Sequence, residues 1–126
     1  MANRMEIYKC EACGNIVFVL QGGKGKLVCC GKPMKLLEAG VEDAAQEKHV
    51  PVVEKTNEIY EVKVGEVEHP MMDNHYVVWI ELIEENGVQI RFLKPGEKPK
   101  AQFKSVDKVI KVREYCNLHG LWEKTV

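Results

Sequence analysis

Nine side chains carry metal chemistry in their type and spacing: five cysteines and four histidines, which are all that the chain has. Cys10 and Cys13 form a Cys-x2-Cys knuckle followed by Gly14. Two thiolates on so tight a turn point at one ion, and the backbone after them can donate hydrogen bonds to sulfur. Cys29 and Cys30 are adjacent and are followed by Gly31. Both must ligate from one dipeptide, which predicts a tetrahedron distorted relative to two symmetric knuckles. A disulfide between neighbours would close a strained ring far from ordinary geometry. Clustered cysteines of this kind point to metal. Zinc and iron both suit four thiolates, and spacing does not choose between them.

The fifth cysteine stands apart, in "REYCNLHGLW", with Cys116 three residues before His119. "EKHVP" puts His49 at the edge of a strand. "HPMMDNHY" puts His69 and His75 at the two ends of one short loop, able to converge. A lone histidine is more often a surface or core residue than a ligand. The set is different, because every histidine falls at a strand end or loop, where a β-sandwich gathers its sites. Four imidazoles and one thiolate make five ligands. Structural zinc closes with four, and catalytic zinc takes three plus water. Five suit an ion that prefers five or six positions, and mixed imidazole and thiolate suit iron or copper. Blue copper, with Met71 or Met72 as its weak ligand, would leave two histidines without a role.

The elements that must position these residues follow from pattern. Residues 1–37 read as a small module of short strands around the knuckle, with "QGGKGK" as a turn. So short a stretch cannot bury enough apolar surface alone and needs a metal staple or a partner. Residues 38–48 are polar and alanine-rich and read as a linker with room for one helical turn. Residues 49–126 alternate as strands: "VPVVEK", "EIYEVKV", "HYVVWIELIEE", "VQIRFL", "AQFK", "KVIKVREY" and "LWEKT". "NG" at 86–87 is a strong hairpin signal. Short strands at this spacing with almost no helical periodicity predict a mainly β protein whose second domain is an antiparallel β-sandwich.

Composition narrows the function classes. A net charge of −1 gives no field to recruit nucleic acid or an anionic membrane. No apolar run approaches the ~20 residues of a membrane span. The opening "MANRMEIYKC" has no signal-peptide core, so a cytoplasmic setting is expected, in which disulfides are disfavoured.

These motifs together carry a family signature. "YKCEACGNIV", "LVCCGKPM", "EKHVPV", "HPMMDNHY", "FLKPGEKP" and "REYCNLHGLW" run through nearly the whole chain. In that order and spacing the sequence resembles desulfoferrodoxin, the two-iron form of superoxide reductase. The resemblance implies a desulforedoxin-like, rubredoxin-like N-terminal domain with an FeS4 centre on Cys10, Cys13, Cys29 and Cys30. It implies an immunoglobulin-like second domain holding a mononuclear iron. Its equatorial ligands would be His49, His69, His75 and His119, and its axial ligand Cys116, with the opposite position open. The implied reaction is one-electron reduction of superoxide to hydrogen peroxide without release of dioxygen. A homodimer and a small electron donor such as rubredoxin are implied as well.

Glu47 and Lys48 adjoin His49. Alone they read as a solvated charged pair at a linker end. Beside the resemblance they read as functional: Lys48 to steer the anion and help deliver a proton, Glu47 to close the open position once the iron is ferric. Two other classes compete. A zinc-stabilised adaptor explains the first four cysteines but not the second set. A non-catalytic iron electron carrier explains both metals but not "EKH". Two irons with a separate thiolate-to-ferric band would exclude the first, and reaction of that band with superoxide the second.

Overall fold

The computed structural model describes residues 2–41 and 49–126. The chain divides into two compact units, Met1–Glu38 and Ala39–Val126. The expectation of a mainly β protein with an antiparallel sandwich is borne out, and no helix occurs among the described residues.

The first unit is built from five very short strands: β1 (Ile7–Lys9), β2 (Ile16–Phe18), β3 (Val28–Cys29), β4 (Lys32–Pro33) and β5 (Lys35–Leu36). β1 is central, with β2 and β5 antiparallel on either side, and β3 and β4 form a separate hairpin. Among its described residues only Ile7, Cys10 and Val19 are buried. Three side chains are too small a core to offset the ordering of the chain. The cysteine cluster therefore has to contribute to stability through a bound ion.

Among its described residues the second unit has seven strands: β6 (Pro51–Thr56), β7 (Ile59–Val64), β8 (Val77–Glu84), β9 (Gly87–Phe92), β10 (Lys100–Lys104), β11 (Val109–Cys116) and β12 (Gly120–Thr125). They form a three-stranded sheet, β10-β7-β6, and a four-stranded sheet, β12-β11-β8-β9. Alternate residues of each sheet point inward. Tyr60, Val62 and Val64 of β7 and Ala101 and Phe103 of β10 pack with Ile80, Leu82 and Val112 of the other sheet. This is the immunoglobulin-like sandwich layout. The β8–β9 hairpin forms where "NG" signalled it, but the turn is Glu85–Asn86, and Gly87 opens β9 opposite Glu84.

The outer face of β8 and β11 carries a buried ion pair. Both Nε and Nη2 of Arg113 donate to Glu81 Oε2, at 3.0 and 2.7 Å. Trp79 Nε1 donates to the other oxygen at 2.7 Å, and the Trp79 ring stacks on Tyr115 at 4.7 Å. With both oxygens engaged, a carboxylate with no exposed surface is tolerated. The network fixes β11 beside β8 immediately before Cys116.

β8 and β11 slip register between Tyr115 and Cys116, which leaves Val78 as an extra residue opposite them. Such a bulge re-aims side chains at a strand end. Here Val77 and Cys116 become partners and both are fully buried. His49 precedes β6, His69 follows β7, His75 precedes β8, and His119 lies between β11 and β12. Pairing of Pro51 with Val64 and of Val77 with Cys116 puts these strand ends at one end of the sandwich.

Candidate metal centres

The four cysteines of the first unit gather their sulfurs within 4.8 Å of one another. Sγ of Cys13 lies 3.6 Å from Sγ of Cys29, which lies 4.0 Å from Sγ of Cys30. Four thiolates about 2.3 Å from one tetrahedral ion stand about 3.8 Å apart, so the cluster has the span of a metal cage. All five cysteines of the chain are free of disulfides.

The knuckle folds as its sequence predicts. Cys10 N–H donates to Asn15 O at 2.8 Å, and Gly14 N–H donates to Cys10 O at 2.9 Å. Gly14 takes φ +86, which glycine alone adopts without cost. Cys13 N–H points at the Cys10 sulfur, 3.5 Å away, and this donor pulls the Cys10 thiol down to about 6. Its sulfur is thus readied as a thiolate, the form that binds metal.

The adjacent pair has its own solution. β3 and β4 are joined by a two-residue turn, Cys30–Gly31, with φ +54 and +74. Positive φ at both central residues is the pattern of a type I′ hairpin. In an extended strand neighbouring side chains face opposite ways. Turning Cys30 into the left-handed region brings its sulfur round to the same point as Cys29. A non-glycine residue there costs about 1–2 kcal/mol, which metal binding offsets. Asn15 Nδ2 approaches Cys29 Sγ at 3.8 Å. Crowding of Cys30 against the sulfurs of Cys13, Cys29 and Cys10 pushes its own thiol up to about 12.

The second unit assembles a ring of imidazoles. His49 meets His69 edge-on at 5.1 Å, His69 meets His75 at 5.0 Å, His75 meets His119 at 5.0 Å, and His119 meets His49 at 4.8 Å. The circuit closes, with each ring at 72° to 80° to the next. The ligand atoms of His49, His75, Cys116 and His119 lie within 4.8 Å of one another. His69 completes the ring from a deeper position, with 1% of its surface exposed. His119 is exposed and Cys116 fully buried, so the site has a closed floor and an open side.

Hydrogen bonds select the donor atoms. His69 Nδ1 donates to Pro70 O at 2.7 Å, which leaves Nε2 buried with no protein partner. Burial lowers the His69 pKa to about 4, so the ring is neutral at neutral pH. A neutral imidazole with an orphaned, inward nitrogen is the requirement for a ligand. His49 Nε2 and His119 Nδ1 lie 3.0 Å apart. Two nitrogens bound about 2.1 Å from one ion at right angles have that separation. Burial raises the Cys116 thiol, while the backbone N–H groups of Leu118 and His119 work against the rise.

Three supports of this site have no signal in the cysteine and histidine spacing. Asn117 is the first. Its N–H donates to Tyr76 O at 3.2 Å, its Oδ1 accepts from Tyr76 N–H at 2.9 Å, and its Nδ2 donates to Asn74 O at 3.1 Å. It fastens the His75 loop to the Cys116–His119 turn. Met71 and Met72 are the second. Met72 and His75 exchange backbone bonds at 2.9 and 3.1 Å, and Val77 N–H points at Met71 Sδ at 3.4 Å. Trp122 is the third, with its ring stacked on His49 at 4.8 Å and 19°. The signals available were the asparagine of "CNLHG" and the aromatic two residues after the turn glycine. Glu47 and Lys48 lie outside the described residues.

A four-thiolate unit followed by a β-sandwich with an imidazole-thiolate site defines a two-centre non-haem metalloprotein, and the donor sets fit two iron centres. Family models described as desulfoferrodoxin, N-terminal domain, and desulfoferrodoxin match residues 2–37 and 41–125. The chain belongs to the desulfoferrodoxin family. It is 60% identical over 122 residues to a desulfoferrodoxin of Syntrophotalea carbinolica, covering 97% of each chain. Its first unit is 59% identical over 34 residues to the desulforedoxin of Megalodesulfovibrio gigas, which is 27% of this chain and 92% of that one. Among solved structures, the superoxide reductase from Treponema pallidum matches with a TM-score of 0.79 at 29% identity, over 99% of this chain and 100% of that one.

Proposed function

We propose that the protein is a superoxide reductase, which adds one electron and two protons to superoxide and yields hydrogen peroxide. The observation that carries this reading is the closed ring of His49, His69, His75 and His119 with the Cys116 thiol beside it, open to solvent at His119. His49, His69, His75, Cys116 and His119 would hold the catalytic iron, and Cys10, Cys13, Cys29 and Cys30 the FeS4 iron. Bound iron would supply the one electron that superoxide accepts.

The chain's own residues do the rest. Neutral imidazoles and one thiolate leave a divalent ion with a net positive charge, which attracts a small anion. The closed floor under the ring keeps the thiolate dry, and a charge acts more strongly in a dry setting. Lys48 and Glu47, next to His49 in the chain, are proposed as the charged groups at the substrate face. Lys48 would draw in the anion and hold a proton for the product, and Glu47 would close this face once the electron has been spent, displacing the product.

The proposed working division is a desulforedoxin-like domain at 1–37, a linker at 38–48 and the catalytic domain at 49–126. A small donor such as rubredoxin is proposed to restore the electron spent in each turnover. A homodimer is also proposed, supported by the exposed apolar side chains of Val17, Leu20 and Val28 on the first unit. Five free cysteines support a cytoplasmic setting.

Pulse radiolysis of the iron-loaded, reduced protein tests the activity. One hydrogen peroxide per superoxide with no dioxygen evolved is expected. Oxidation by ordinary electron acceptors with no fast reaction toward superoxide would overturn the reading in favour of an electron carrier.

A further inference from the structure

We infer that Trp122 is a positioning residue for the imidazole ring, seated on Gly40, and that it sets how firmly and in what orientation His49 and His119 present their nitrogens. This rests on the reading of those two histidines as iron donors.

Three contacts converge on the one indole. Its face lies nearly parallel to His49, at 4.8 Å and 19°. Its Nε1 donates to the backbone carbonyl of His119 at 3.0 Å. On the backbone side, Gly40 pairs in parallel with Trp122 as an isolated bridge. Gly40 N–H donates to Leu121 O and Glu123 N–H donates to Gly40 O, each at 2.9 Å.

The glycine explains how the indole is held. A Cβ added to Gly40 would lie 2.6 Å from Cε3 and 2.7 Å from Cζ3 of Trp122. Carbon atoms do not approach so closely, and Gly40 is not among the positive-φ residues. A glycine is required here for close approach of backbone to ring, not for an unusual conformation. The strand-like pairing presses residue 40 against Trp122 and leaves the indole little freedom.

The consequence falls on the ligands. The second torsion of a histidine is broad and roughly two-fold, so an unsupported ring turns easily. A stacked neighbour restricts that turn. Metal sites depend on such outer partners, whose loss typically weakens metal binding 10–100-fold. Trp122 reaches two donors that are 70 residues apart in sequence.

The test uses the full chain with both irons bound. Trp122→Leu removes the stack and the N–H, Trp122→Phe keeps an aromatic face, and Gly40→Ala leaves the indole but displaces it. The readouts are the rate at which a chelator strips the second iron, the position of its ferric-thiolate band and its midpoint potential. Trp122→Leu and Gly40→Ala are expected to release that iron about ten-fold faster and to move the band and the potential. Trp122→Phe is expected to restore the band and most of the retention. Circular dichroism and thermal unfolding identify a variant whose second unit has failed to fold, and Gly40→Ala then decides. Folded Trp122→Leu and Gly40→Ala with unchanged release, band and potential would overturn the inference. A parent protein that binds no second iron would overturn the ligand reading instead.

Discussion

Asn117 and Tyr76 are joined by two hydrogen bonds, one to the asparagine backbone at 3.2 Å and one to its side chain at 2.9 Å. Between them they lock the His75 loop to the Cys116–His119 turn, two segments that share no strand. Asn117→Ala removes the side-chain half of this joint and the bond to Asn74. A loss of about 1–2 kcal/mol in stability is expected, measured by denaturant unfolding. Weaker retention of the second iron should accompany it, with the FeS4 spectrum unchanged. A variant with the parent's midpoint and metal content would show that the joint is not needed.

Cys116 is buried on the floor of the imidazole ring and is the one cysteine gathered with it among the described residues. Cys116→Ser should abolish the thiolate-to-ferric band and the reaction with superoxide. The FeS4 spectrum of the first unit should remain, because its four sulfurs form a separate cluster. A surviving thiolate band would remove Cys116 from the site.

Lys48 immediately precedes His49. Lys48→Ile should slow the bimolecular reaction with superoxide and flatten its dependence on ionic strength, since a steering charge acts through a screened field. Pulse radiolysis across a salt series reads both. An unchanged rate and slope would leave Lys48 as a solvated surface residue.

Glu47 would act after the electron has been spent. Glu47→Ala should leave the fast reduction of superoxide nearly intact and change the absorption spectrum of the resting ferric protein. If that spectrum is the same as the parent's, the carboxylate does not reach the site.

Much of this architecture was legible in the chain. The Cys-x2-Cys and Cys-Cys spacings pointed to a thiolate cage, and the four histidines at loop positions pointed to a second site. Alternation in "EIYEVKV" and "KVIKVREY" marked strands that the structure contains. What could not be read depends on contacts between distant segments. Asn117 bonds to residues 41 and 43 positions away, and local sequence gives no measure of that pairing. Gly40 looked like part of a polar stretch, yet its lack of a side chain is used by a tryptophan that lies 82 positions further along. The turn of Cys30 into positive φ was hidden for a different reason. Cysteine has no preference for that region, and the hairpin with Gly31 imposes it.

His49 stands ahead of the first strand of the sandwich and His119 in its last hairpin, with their ring nitrogens 3.0 Å apart. An ion held by both is therefore a removable cross-link, which pins the first edge of the domain to the last and closes a loop of 70 residues. By the chain-entropy argument used for disulfides, such a closure takes about 4 kcal/mol of freedom from the unfolded chain. The domain would thus gain the clasp of a disulfide with none among its residues.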